Sequence, residues 1–242
     1  MKLGLQTYTI RRALAKNHAQ AFEQAQRLGI NDFELARISF DDSELSICRS
    51  LNIHAYAIQD TLQSLKKHFL KRCRFMHELH IPLAVVSVLS IPAILGSRKA
   101  IHGFCHHVNA LAKMYESAGL QLAFHHHDFE FRMCQGRLKF DWILDDLDPG
   151  VGIVMDTYWV QKAGFDPSVW AKKLEPRLRG VHLRDMLKPP RTGDCPMGEG
   201  VVDFPSLFKV IDSNRVYTVI EQNTQTPFSD VQKSLAYYQT LL

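Results

Sequence analysis

The sequence predicts a single (β/α)8 TIM barrel spanning residues 1–242, and three observations carry that prediction. Short apolar runs recur eight times along the chain. Stretches with helical spacing separate them. Shared among eight units, the 242 residues come to roughly 30 each, the size of one βα repeat.

The elements follow in order. The first run is KLGLQTY at 2–8, and NHAQAFEQAQRLG after it places Ala21, Phe22, Ala25 and Leu28 on one helical face before the terminating Gly29. DFELA at 32–36 and IHAYAI at 53–58 read as the second and third strands, with SELSICRSLN between them and SLKKHFLKRCRFMHELH after. PLAVVSV at 82–88 precedes the long amphipathic segment SRKAIHGFCHHVNALAKMYESAG, again closed by a glycine. QLAFHH at 121–126 and VGIVMD at 151–156 are the fifth and sixth strands. PSVWAKKLEPRL and FPSLFKVIDSN each begin with proline near the first turn, where a missing N–H costs little. They flank LRGVHLRD at 178–185, and VYTVIEQ at 216–222 is the eighth strand. SDVQKSLAYYQTLL ends the chain with Ser229 as a cap. Neither G-x-G-x-x-G nor a P-loop follows the first run, which argues against dinucleotide and nucleotide folds.

Composition narrows the classes. Hydrophobic residues at 46% and charged residues at 22% describe an ordinary globular chain. The net charge of +4 is a mild excess with no long basic run, so a nucleic-acid partner has little support. Five scattered cysteines without a C-x-x-C argue against a disulfide framework or zinc ribbon and for a reducing, cytoplasmic setting. No apolar run approaches the roughly 20 residues of a membrane span, and the start lacks a signal-peptide run.

In such a barrel the C-terminal strand ends build the active site. The fifth run ends in His125, His126, His127, Asp128 and Glu130, the sixth in Asp156, the seventh in His182 and Asp185, the eighth in Glu221, and the second carries Glu34. Neighbouring strands lie about 5 Å apart, so side chains from strands five to eight can converge on one ion. Carboxylates mixed with imidazoles suit Mn²⁺, Mg²⁺, Co²⁺ or Zn²⁺. Taken singly, Asp156 also reads as a helix cap and His182 as a hydrogen-bonded core histidine. The succession of four strands is what points to a metal. His126 is expected to face away from its neighbours, because alternate side chains leave a strand on opposite sides.

HHHDFEF, MDTYWVQKAG, VHLRDM, MGEGVVDFPSL and VIEQN, in this order, make the chain similar to the sugar phosphate isomerase/epimerase family of xylose isomerase-like TIM barrels. The likeness is strong over about residues 120–225. It implies a divalent ion held by Asp156, His182, Glu221 and a strand-five residue. In the resembled epimerases that residue is a glutamate, which favours Glu130, with His125 as rival.

The resemblance implies an isomerase or epimerase acting on a ketose or related polyol through an enediolate, with Glu130 and Glu221 moving the proton. An inosose-type dehydratase on the same site, or a metabolite-binding barrel without turnover, are the alternatives. His127, Arg184, Lys188, Glu199, Trp159, Tyr8 and Glu34 are candidate substrate contacts. A homo-dimer or tetramer is common among the resembled proteins.

Overall fold

The computed structural model describes residues 3–241. Eight parallel strands close into a barrel: β1 (Leu3–Gln6), β2 (Asp32–Ala36), β3 (His54–Asp60), β4 (Leu83–Val86), β5 (Gln121–His125), β6 (Gly152–Asp156), β7 (Leu178–Leu183) and β8 (Tyr217–Ile220). Each strand pairs with its neighbour in sequence, and β8 returns to β1 with Leu3 opposite Thr218. All eight expected strands are present in the expected order. Lys2, in the first predicted run, and Leu242, in the last predicted helix, lie outside the described residues.

Strand alternation decides which side chains meet. Phe33, Leu35, Leu122, Phe124, Ile153, Met155, Val181 and Leu183 face the helices and join the main core. Their neighbours face the barrel axis, where Ala57, Leu83, Val85, Ala123 and Val154 form a small inner cluster against Tyr217. The same alternation turns Glu34, His125, Asp156 and His182 inward, and all four are buried. Against the outer face lies the long helix Arg98–Ser117, which buries Ile101, Phe104, Cys105, Val108, Leu111 and Tyr115 at three- and four-residue spacing.

Several elements differ from expectation for local reasons. The seventh run ends at Leu183, because Asp185 pairs with Cys195 in a separate two-stranded ribbon. Its carboxylate accepts from the N–H groups of Met186, Gly198, Gly200 and Val202, which holds the following loop in place. SLKKHFLKRCRFMHELH divides into Leu62–Lys67, capped by Thr61, and Phe69–Glu78. The last helix begins at Pro227, so Ser229 sits within it and Thr226 holds the cap position. Helices Ile91–Leu95, Lys139–Asp146 and Thr157–Lys162, too short or too mixed for a periodic signal, were not expected. Nor was the hairpin of Met133–Cys134 with Arg137–Leu138, whose turn residues Gln135 and Gly136 both have positive φ. No helix among the described residues is long and apolar enough to cross a membrane.

Candidate metal centre

His125, Asp156, His182 and Glu221 each bring one ligand-capable atom to a common point, all within 4.8 Å of one another. They come from the C-terminal ends of β5 to β8, four adjacent strands. Parity explains the convergence for the first three. Glu221 directly follows β8, and its N–H still reaches the carbonyl of Leu183 at 3.3 Å.

Each member is held by its own surroundings. The Nδ1 of His125 lies 3.2 Å from the carbonyl of Ser87. A carbonyl only accepts, so Nδ1 carries a proton and Nε2 is the nitrogen turned toward the group. That Nε2 is buried, without a hydrogen-bond partner among the described residues, 3.8 Å from Oδ2 of Asp156. Asp156 caps the helix Thr157–Lys162, its Oδ1 accepting from Tyr158 and Trp159 at 2.8 and 3.3 Å. His182 places Nε2 at 2.9 Å from Oε2 of Glu34 and Nδ1 at 2.7 Å from Oε2 of Glu221.

Arg184 supplies positive charge beside the group. Its Nη1 lies 3.3 Å from both Asp156 Oδ2 and Glu221 Oε1. Its Nε and Nη2 grip Asp194 at 2.8 and 3.1 Å, and its guanidinium packs over the rings of Tyr158 and Trp159. Burial alone would push the Asp156 carboxyl upward, but Arg184 and His125 outweigh it and hold Asp156 well below the usual range. Burial opposes charge on His182 as well, yet the flanking Glu34 and Glu221 raise it well above the ordinary imidazole value. Glu221 is lowered in turn, because His182 and Arg184 outweigh its desolvation.

The donor set fits a divalent ion. Nε2 of His125, buried and without a hydrogen-bond partner among the described residues, faces a carboxylate oxygen across 3.8 Å, too far for a hydrogen bond. That gap suits an ion bonded to both at about 2.0–2.2 Å. Two imidazoles with two carboxylates favour Zn²⁺, Mn²⁺ or Co²⁺ over the oxygen-loving Mg²⁺.

Two of the four, His125 and Glu221, line a cavity of about 540 Å³ together with Tyr8, Arg37, Gln59, His127, Trp159 and Arg184 among others, while Asp156 and His182 are fully buried beside them. Of the expected substrate contacts, Tyr8, His127, Trp159 and Arg184 line this cavity. Three do not. Lys188 is exposed beyond the ribbon, Glu199 pairs with Lys233 at 3.4 Å in solvent, and Glu34 is wholly buried beneath His182. The loop carrying Lys188 and Glu199 is held at both ends by Asp185, which accepts from Met186, Gly198, Gly200 and Val202. Arg37, Gln59 and Asn223 also line the cavity. No motif announces them, since polar residues after a strand are ordinary in sequence.

From strand five the structure brings His125 into the group and leaves Glu130, the favoured candidate, outside it. β5 ends at His125, and the short turn Phe129–Phe131 rotates Glu130 back so that its Oε2 accepts from the His127 N–H at 2.9 Å. Burial pushes the Glu130 carboxyl up to about 8, so it is protonated at neutral pH. His126 faces outward as expected, its ring against Phe131 and Phe140 and its Nε2 accepting from the Asp156 N–H.

The buried acid has a measurable consequence. Folded, Glu130 keeps its proton to about pH 8, whereas an ordinary glutamate loses it near 4.5. Its contribution to stability is complete below the lower value and is lost as pH rises through the upper one. The slope is at most about 1.4 kcal/mol per pH unit. Glu130→Gln, neutral throughout and still able to accept from His127, removes that slope. Thermal melts should show the variant gaining on the parent between pH 5 and pH 8; parallel curves would contradict the assignment.

A family model described as xylose isomerase-like TIM barrel matches residues 12–240. An inosose dehydratase of Salmonella typhimurium is 28% identical over 145 residues, covering 54% of this chain and 48% of that protein. The chain thus spans about half the length of that curated relative. A sugar phosphate isomerase/epimerase from Parabacteroides distasonis superposes with a TM-score of 0.78 at 19% identity, covering 98% of this chain and 93% of that one. An IOLI protein with a bound zinc atom superposes with a TM-score of 0.68 at 14% identity over 100% and 98%. At these identities the superpositions speak to the fold, while the family match covers nearly the whole chain. The chain belongs to the xylose isomerase-like TIM barrel family.

Proposed function

We propose that the chain is a divalent-metal-dependent isomerase or epimerase that moves a proton on the carbon next to a carbonyl in a ketose or related keto-polyol. The observation that carries this reading is the meeting of His125, Asp156, His182 and Glu221, with His125 and Glu221 lining one open cavity. The zinc of the IOLI protein lends support. A divalent ion there supplies charge that steadies the electron density developing on a carbonyl oxygen.

The protein's own residues do the rest. Glu221 lines the cavity and accepts the carbon-bound proton. Arg184 is clamped by Asp194, so Nη1 keeps a fixed donor beside Glu221. His127 is held neutral, burial and then His125 pushing it down to about 3. It contributes a hydrogen bond rather than a charge. Tyr8 and Trp159 form ring walls suited to the apolar face of a sugar.

Dehydration is the second reading, and a specific observation favours it. With Glu130 turned away, no free carboxylate among the described residues lines the cavity beside Glu221. Asp60 also lines the cavity but is engaged by Arg72 at 2.7 Å and Ser64 at 2.6 Å. A single group suffices when Glu221 takes the C–H proton and returns it to the hydroxyl on the neighbouring carbon, whose C–O bond breaks to release water. The similarity to inosose dehydratases agrees with this.

One experiment tests both. Purified protein is stripped with a chelator, reloaded with Zn²⁺, Mn²⁺ or Co²⁺, and incubated with ketoses and inososes in D₂O. Deuterium entering a C–H position with composition unchanged supports isomerisation or epimerisation. Loss of water supports the dehydratase. No exchange with any ion and any of these compounds counts against both.

A further inference from the structure

Glu34 is completely buried, takes no part in lining the cavity, and receives two donors on one oxygen. Its Oε2 accepts from the Tyr217 hydroxyl at 2.6 Å and from His182 Nε2 at 2.9 Å. Several local features make this arrangement fit. Gly180, opposite Tyr217 across the β7–β8 pair, leaves room for the ring; a Cβ there would stand 2.3 Å from Tyr217 Cζ. The Tyr56 ring stacks on Tyr217 at 5.2 Å and 15°. Tyr56 is the extra residue of a bulge, between Ala55 opposite Phe33 and Ala57 opposite Glu34. Gly4 makes room for it, a Cβ there lying 3.0 Å from the Tyr56 ring. A buried carboxylate is costly unless its bonds return the expense. Packing alone would be served as well by an apolar residue.

We propose that Glu34, aimed by Tyr217, is a positioning residue for His182: it holds Nε2–H toward the barrel core and so presents the Nδ1 lone pair to a bound ion. This rests on the metal-centre reading above. A carboxylate oxygen accepting on this side keeps the ring proton on Nε2 once an ion takes the place of Glu221 at Nδ1. The Tyr217 bond to the same oxygen keeps the carboxylate from turning. A carboxylate partner also raises the basicity of the opposite ring nitrogen, which strengthens its bond to a metal. His125 is set by the Ser87 carbonyl in the complementary sense, with Nδ1 protonated and Nε2 presented. The two imidazoles therefore use opposite nitrogens, each fixed by a partner below the rim.

The test measures zinc dissociation constants by competition with a chromophoric chelator for the parent, Glu34→Gln, Glu34→Met and Tyr217→Phe. Nitrogen-15 histidine spectra of the zinc-loaded proteins report the His182 tautomer. Both Glu34 variants should weaken zinc by roughly 10- to 100-fold. Tyr217→Phe, which preserves the ring packing, should weaken it by about fivefold, the worth of one hydrogen bond. The parent spectrum should show Nε2–H on His182 with the shift of a proton donated to a carboxylate, and the Glu34→Met spectrum an Nε2–H that has lost that shift. Zinc affinities equal to the parent's in all three variants would overturn the positioning role while leaving the metal centre intact. A parent that binds no zinc would overturn the metal centre and this role with it. Should the Glu34 variants fail to fold, Tyr217→Phe decides: unchanged affinity rejects the proposal, and a fall with an unchanged melting temperature supports it.

Discussion

Asparagine in place of Asp156 is expected to leave the barrel folded and the metal site empty. Oδ1 of Asp156 caps the helix Thr157–Lys162, a task an amide oxygen performs equally well. Oδ2 faces His125 Nε2 at 3.8 Å and Arg184 Nη1 at 3.3 Å. Asparagine can keep the cap but lacks the charge that makes Oδ2 a ligand. Affinity for Zn²⁺ or Mn²⁺ should fall by more than the roughly 10- to 100-fold that loss of a supporting partner costs. Both variants leave the buried Arg184 with one fewer counter-charge, and Asp156→Ala loses the cap too, costing about 1 kcal/mol more in stability. Metal analysis and thermal melts of the two variants separate these effects. Retention of metal by Asp156→Asn at the parent's affinity would remove Asp156 from the centre.

Glu221→Gln should reduce deuterium exchange into substrate by about 10²- to 10⁴-fold at saturating metal, the usual worth of a positioned acid–base group. Glu221 is the carboxylate that both belongs to the ligand group and lines the cavity, so exchange is read only after metal analysis shows the variant fully loaded. Its proton affinity is lowered by His182 and Arg184 against its burial, so it is ionised and ready to accept a proton near neutral pH. The glutamine side chain fills the same volume and can still accept from Arg184. A fall in exchange without loss of bound metal therefore reports the proton transfer itself. Near-parent exchange at full metal occupancy would transfer the role to another group.

The difference between Glu130 and His125 shows where sequence reading stops. Both lie in one six-residue stretch rich in ligand-capable groups. Strand parity marks His125 as facing inward if β5 ends there, yet nothing local reveals that the chain turns immediately afterwards. The turn at Phe129–Phe131 reverses the direction of Glu130 and gives its carboxylate a backbone N–H to bind. Lys188 and Glu199 diverged for a related reason. The loop bearing them is gathered by Asp185 through the N–H groups of Gly198 and Gly200, residues remote from Asp185 in sequence.

Period and parity are local properties. The amino-acid order alone therefore determined the eight-strand alternation, the inward face of each strand, and the delivery of Asp156, His182 and Glu221 to one rim. Closure of the sheet decided the rest. It placed Glu34 from β2 against His182 from β7, 148 positions apart, and Tyr217 beneath both. Such contacts depend on the stagger of strands around a closed ring and on the room left by Gly4 and Gly180. These are quantities that exist only once the barrel has formed.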